Sequence, residues 1–237
     1  MNMRFGIALT YRCNLRCSEC NRYLDRIGVP CSDVTLEGLQ EGYDRVVAAG
    51  IQIDKTRVTG GEPLLHPRFV EAMRLIHETW NKDYGGRTPV FSNGTQLLPK
   101  SDAGWRYRVS SDGGRSGFRP TQLSPHDLGL KPILGVGEQC RIQKSCGRLF
   151  DAFGFSFCIL GGQIGRLFGI DAYGPTPVVA GDPEVCKHCI WSQPRQVAWG
   201  LIRSFYNKGV EYPSPSYSRA FLDARWKGVK IKRFEER

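Results

Sequence analysis

The feature that most constrains this chain is a run of three cysteines, Cys13, Cys17 and Cys20, spaced CxxxCxxC directly behind a short apolar segment, Arg4 to Thr10. The apolar segment reads as a buried strand. Three thiolates on one loop can hold three corners of a cubane iron–sulfur cluster, leaving the fourth iron free for a small molecule. A closed structural zinc site normally needs four protein ligands. The chain has 9 cysteines, an odd number, clustered toward both ends. With no secretory leader legible at Met1 to Phe5 and no apolar run long enough to cross a bilayer, the expected compartment is the cytoplasm, where such clusters read as metal ligands rather than disulfides. The formal net charge of +10 favours anionic partners: a polar or anionic substrate, nucleotides, or nucleic acid. No membrane is expected as a partner.

Strands and helices alternate downstream. A helix is expected from Thr35 to Ala49, with Leu36, Leu39, Tyr43, Val46 and Val47 on one face, Thr35 as its cap and Gly50 at its end. A second strand, Lys55 to Val58, breaks at Thr59-Gly60-Gly61-Glu62-Pro63. A second helix, Pro67 to Trp80, is expected to carry its proline in the first turn. Strands follow at Pro89 to Ser92, ending in Asn93-Gly94, and at Trp105 to Ser110, ending in Ser111-Asp112-Gly113-Gly114. This alternation predicts an α/β fold with a parallel sheet. Beyond about Leu134 helical periodicity fades. Phe150 to Phe157 reads as a tight hairpin at Gly154, Gly165 to Ala172 as a strand, and Ser216 to Trp226 as a helix.

The CxxxCxxC spacing after a first strand, the phrase Cys13-Asn-Leu-Arg-Cys17, and Gly60-Gly61-Glu62-Pro63 after the second strand together resemble the radical S-adenosylmethionine (SAM) superfamily. The resemblance implies a [4Fe–4S] cluster on Cys13, Cys17 and Cys20, and SAM bound through its amino group at Gly60, Gly61, Glu62 and Pro63. It also implies cofactor contacts at the strand-ending residues Ser92, Asn93, Ser110, Ser111 and Asp112. The implied chemistry is one-electron cleavage of SAM to methionine and a 5′-deoxyadenosyl radical that takes a hydrogen atom from substrate, with an external one-electron reductant such as flavodoxin or ferredoxin. The family usually has an aromatic residue just before the third cysteine; here it is Glu19. The stretch from Cys13 to Cys140 is short for a complete barrel, so a truncated (βα) barrel of about four units is expected.

In the C-terminal half, Cys146 and Cys158 bracket the hairpin, and Cys186 and Cys189 form CxxC. Two such pairs suit a four-thiolate zinc or iron–sulfur site. The layout resembles the twitch auxiliary domain of some radical SAM enzymes, which implies a second, auxiliary [4Fe–4S] cluster on Cys146, Cys158, Cys186 and Cys189. His188, inside the CxxC, could stand in for a thiolate. Cys140 is open between alternative ligand, hydrogen-atom donor and buried hydrophobe; Cys31 reads as the last of these. Arg12, Arg16 and Arg22 crowd the first loop as solvated charges or as counter-charges to a cluster. The expected organisation is a partial barrel over 1–130, a cysteine-rich subdomain over 131–195 and a basic, aromatic extension over 196–237. The expected activity is oxidation or epimerisation of a carbohydrate-like or nucleotide-like compound, or modification of a peptide or a nucleic-acid base. A zinc-stabilised nucleic-acid-binding module is the rival from another class; it leaves the GGEP segment unexplained.

Overall fold

A computed structural model describes residues 1–17, 20–23, 32–100, 104–109, 122–131, 140–208, 213–227 and 232–237. Its frame is one 7-stranded sheet. The central strand, β1 (Asn2–Thr10), is buried along nearly its whole length. Its side chains divide by parity, as a pleated strand requires. Phe5, Ile7 and Leu9 enter one apolar core, while Ala8 enters another on the opposite face.

The first core is covered by α1 (Leu36–Ala48) and α2 (Phe69–Glu78). Thr35 caps α1 by accepting from Gly38 N at 2.9 Å, worth about 1 kcal/mol. β2 (Gln52–Gly60) follows α1, β3 (Thr88–Ser92) follows α2, and β4 (Trp105–Val109) closes this side. All pair in parallel. Phe5 meets Trp80 edge-on at 5.4 Å, and Trp80 meets Phe150 at 5.1 Å. Helix α2 starts two residues later than expected, which leaves Pro67 outside it. His66 holds the approach in a turn, taking a hydrogen bond from Arg68 N at 3.2 Å while its other ring nitrogen lies 3.0 Å from Val34 O.

On the other side of β1 the sheet continues without a break. A short helix, α3 (Arg141–Cys146), leads into β5 (Arg148–Asp151), which pairs in parallel with β1. β6 (Gly154–Ser156) folds back on β5 as the expected hairpin, and β7 (Tyr173–Gly174) adds an antiparallel edge. The strand order is β4-β3-β2-β1-β5-β6-β7, an open sheet rather than a closed barrel.

The segment expected to be a strand over Gly165 to Ala172 is instead α4 (Gly161–Phe168), with Gly169 as its left-handed cap. Every residue from Gly161 to Leu167 is buried. Gln163 and Arg166 recur at helical spacing, but the expected strand began at Gly165 and cut across that period. The glycines of α4 cost helix propensity but admit close neighbours. A Cβ on Gly162 would sit 2.5 Å from the Tyr173 hydroxyl. The chain finishes with α5 (Pro183–Cys186), α6 (Arg195–Lys208) and α7 (Pro215–Lys227). Helix α6 was not expected; Ala198 and Ile202 seat it on Ile190 and Leu123. Among the described residues, no helix is long and apolar enough to cross a membrane.

Candidate active site and auxiliary cysteine cavity

The first cysteine loop leaves the C-terminal end of β1, and short polar contacts fix its exit. Thr10 Oγ1 donates to Asp33 at 2.5 Å and accepts from Arg12 N at 3.0 Å. Arg12 is ion-paired with Asp33 at 3.0 Å, so it is committed to the loop's own base. Cys13, Cys17 and Cys20 are each partly buried. Cys20 N donates to Cys17 O at 3.1 Å, and Leu15 N points at Cys13 Sγ at 3.5 Å. Burial pushes the Cys13 thiol up, opposed by the Leu15 N–H and reinforced by the nearby Cys20, Cys17 and Glu62. A positive metal centre is what would hold such a trio as thiolates.

The Gly60-Gly61-Glu62-Pro63 segment lies directly against this exit. Gly61 N donates to Thr10 O and Glu62 N to Arg12 O, both at 2.8 Å. The glycines are required by that approach. Gly60 has φ +139°, and a Cβ on Gly61 would stand 2.1 Å from Arg12 O. Glu62 is fully buried, and both its carboxylate oxygens are occupied. Oε1 accepts from Leu64 N at 3.2 Å and Oε2 from Asn93 N at 2.6 Å. Its carboxylate therefore ties the segment to the end of β3, a positioning task the sequence did not reveal.

Asn93 completes the tie. Its Nδ2 donates to Asn14 Oδ1 at 2.9 Å, Asn14 Nδ2 donates to Thr95 Oγ1 at 2.7 Å, and Thr95 Oγ1 donates to Asn93 Oδ1 at 2.6 Å. Asn14 belongs to the cysteine loop, so this closed ring fastens the loop to β3. Ser92 is spent locally, accepting from Gly94 N at 3.0 Å. Pro63 starts a short 3₁₀ turn. Ser110, Ser111 and Asp112, with Glu19 and Cys31, lie outside the described residues.

Arg16 is exposed, but Arg22 is not a solvated charge. It is buried, donating to Ile159 O at 3.1 Å and to Thr59 Oγ1 at 3.3 Å. It thus links the first loop to the residue after Cys158. Tyr23 follows with φ +58° and its ring packed 6.0 Å from Tyr217, whose hydroxyl donates to His188 O at 2.9 Å.

Of the expected C-terminal set, Cys158, Cys186 and Cys189 share one cavity with Cys140. The cavity is apolar, with Phe157, Ile164 and Val185 among its walls. Cys146 is not in that lining. It ends α3, with its Sγ 3.5 Å from Ser145 Oγ. Cys146, at the other end of α3 from Cys140, packs against the same apolar cluster as Cys158 and Cys186, and it adds to the upward pressure on the Cys158 thiol. Burial pushes the Cys158 and Cys186 thiols up to about 12 and Cys189 well above its ordinary value, each also feeling its neighbours in the set. Four cysteines around one apolar cavity are a donor set that suits an iron–sulfur or zinc centre. His188 does not line it. Its ring stacks on Phe168 at 3.7 Å, with Nδ1 3.1 Å from Ser124 Oγ, and burial lowers its pKa to about 4. Among the described residues, no three His, Cys, Asp or Glu side chains converge tightly enough to enclose a single metal ion; a cubane gives each thiolate an iron of its own.

A buried polar pocket beside Cys13 also escaped the sequence reading. Asp151 Oδ2 accepts from Tyr11 at 2.5 Å and Tyr173 at 2.9 Å, and its Oδ1 accepts from Phe153 N at 2.8 Å. The Arg166 guanidinium lies 4.2 Å above the Tyr11 ring and 4.9 Å from that of Phe153, with none of its nitrogens hydrogen-bonded. The signal available in the sequence was a charge of each sign inside otherwise apolar stretches, Asp151 in the hairpin and Arg166 in α4.

Residues 7–110 match the family model described as the radical SAM superfamily. Over that stretch the chain is similar to radical SAM domains. The matched stretch holds the end of β1, β2 to β4 and both segments that meet at the first cysteine loop. The chain is 37% identical over 97 residues to a GTP 3′,8-cyclase of Chlorobaculum tepidum, covering 41% of this chain and 27% of that protein. It is 43% identical over 74 residues to a GTP 3′,8-cyclase of Peptoclostridium acidaminophilum, covering 30% and 21%. It is 35% identical over 146 residues to molybdenum cofactor biosynthesis protein 1 of Mus musculus, covering 54% and 22%. The chain spans about a quarter of the length of these curated relatives. Among solved structures, BtrN in complex with AdoMet and 2-DOIA superposes with a TM-score of 0.47 at 10% identity, over 86% of this chain and 87% of that one.

Proposed function

We propose that this chain is a radical SAM enzyme that cleaves SAM reductively and abstracts a hydrogen atom from a polar, carbohydrate-like or nucleotide-like substrate, with a twitch-like auxiliary [4Fe–4S] cluster in the C-terminal cavity. The observation that carries the reading is the backbone pairing of Gly61 and Glu62 with Thr10 and Arg12, which lays a SAM-type segment against a loop of three cysteines. Cys13, Cys17 and Cys20 would hold three irons of the first cluster. Bound there with SAM, the cluster supplies one-electron cleavage of the sulfonium to methionine and a 5′-deoxyadenosyl radical. Because the Glu62 carboxylate is taken by backbone donors, backbone carbonyls of the segment are left to receive the SAM ammonium. The Asn14–Thr95–Asn93 ring holds the loop at a fixed distance from that segment, which is the orientation a bound cofactor needs. Ser110, Ser111 and Asp112 are assigned to the cofactor's ribose and carboxylate.

In the second centre we assign Cys140, Cys158, Cys186 and Cys189 as ligands. That removes Cys140 from the hydrogen-donor role and favours dehydrogenation over epimerisation, since an auxiliary cluster can accept the second electron. The nucleotide-like substrate is supported by the relatives' name, GTP 3′,8-cyclase, and by the basic surplus of the chain. Anaerobic incubation of the reconstituted protein with SAM and dithionite tests the class. The expected product is 5′-deoxyadenosine, with deuterium carried over from a labelled substrate. A protein that holds both clusters and forms none defeats the proposal.

A further inference from the structure

The four-cysteine cavity has a neighbour on the opposite side of Gln143. That residue lines the cavity and also lines an open cleft of about 450 Å³ at the N-terminal end of β1. The cleft carries Arg4, Lys144 and Arg148 against a single carboxylate, Asp54. Arg4 pairs with Asp54 at 2.5 Å and also donates to Lys144 O at 3.3 Å, while Arg57 donates to Ser145 O at 2.8 Å. Two guanidinium groups therefore cover the carbonyl end of α3, where the helix dipole welcomes positive charge. Arg141 and Lys144 are exposed on the helix itself. Arg148 is buried, donating to Val179 O at 2.8 Å. The described residues thus form a basic rim of Arg4, Arg57, Arg141 and Lys144 around one short helix that is capped by Cys140 and spans about 9 Å. It lies at the opposite end of β1 from the first cysteine loop, so a protein seated there would leave the substrate side open. None of the cleft's lining residues is aromatic, so it lacks the stacking platform that single-stranded nucleic acid uses.

We propose that this rim, Arg4, Arg57, Arg141 and Lys144, is the docking surface for a small acidic one-electron carrier protein, with electrons passing between the carrier and the cysteine cavity behind Gln143. The inference rests on the reading of that cavity as an iron–sulfur site. One electron leaves the reduced cluster for the oxidised carrier and raises the cluster's charge by one; no bond forms or breaks and no proton is required.

The test is binding of an acidic flavodoxin to the anaerobically reconstituted full chain, by calorimetry across a series of salt concentrations. Complementary charge predicts an affinity that falls as salt rises. Arg141→Glu/Lys144→Glu should weaken binding about tenfold or more and flatten the salt dependence. Lys144→Glu alone, which leaves the neighbour of Cys140 unchanged, should give about a threefold loss. Lys100→Glu, a reversal outside the rim, should change nothing. The variants should keep about eight irons per chain and be reduced by dithionite like the parent protein. Unaltered affinity in the double variant overturns the docking surface. So does an RNA oligonucleotide whose binding is lost in that variant while flavodoxin binding persists. About four irons in the parent protein withdraws the auxiliary cluster itself, and the inference with it.

Discussion

The two cysteine centres are built on opposite plans. In the first, three partly buried thiols share one loop, and polar contacts from Asp33, Glu62, Asn93 and Thr95 hold that loop in place. In the second, the thiols come from the start of α3, the end of the hairpin and the CxxC turn, and they meet in an apolar cavity. The first centre is positioned by hydrogen bonds to a loop, the second by the packing of whole elements. A local centre tolerates loss of a neighbour but not of a ligand. A dispersed centre depends on everything that sets the distance between its parts. The open plan suits a site that must admit a cofactor and a substrate, and the closed plan suits one that exchanges only electrons.

That contrast can be broken most sharply at the ligands. Cys13→Ala should bring 5′-deoxyadenosine formation down to background while the second centre keeps about four irons per chain, read by iron and sulfide analysis. Cys140→Ser should do the reverse in metal content and empty the second centre, whereas Cys146→Ser should retain about eight irons. Equal losses from the two serine variants would return Cys146 to the ligand set. Next in size is the pocket that α4 shares between the centres. Arg166→Met leaves Asp151 buried without its counter-charge and should cost about 3–5 kcal/mol in urea unfolding. Adding Asp151→Asn should recover much of that loss. Glu62→Gln keeps the shape but weakens two hydrogen bonds to a charged acceptor, for about 1.5–3 kcal/mol and a weaker grip on SAM by equilibrium dialysis. The smallest effect belongs to Asn93→Ala, which opens one exposed ring of hydrogen bonds. About 1 kcal/mol or less is expected, visible as a few degrees in the melting temperature.

What the sequence disclosed follows the same division. The first centre was legible because its ligands and the Gly60-Gly61 segment are contiguous motifs, and α1 and α2 were legible because each has one wet face. The place of Cys140 in the lining of the second cavity was not. Cys140 and Cys146 are both cysteines ahead of the same hairpin, and only the folding of α3 places each against the cavity. Helix α4 was misread as a strand because three of its eight residues are glycine and the expected segment, starting at Gly165, cut across the spacing of Gln163 and Arg166. Arg22 looked like surface charge because its acceptors, Thr59 and Ile159, are remote in the chain. The Asp151–Arg166 pocket depends on long-range packing in the same way.

The unbroken sheet has a practical consequence for anyone dividing this protein. β5 hydrogen-bonds to β1 through Phe5, Gly6 and Ile7, the strand that launches the first cysteine loop. A fragment ending near residue 130 would leave that apolar backbone edge bare, ready to recruit a strand from a second fragment. Such a truncation should come out of expression as insoluble aggregate, while a cut beyond β7 would leave the edge covered.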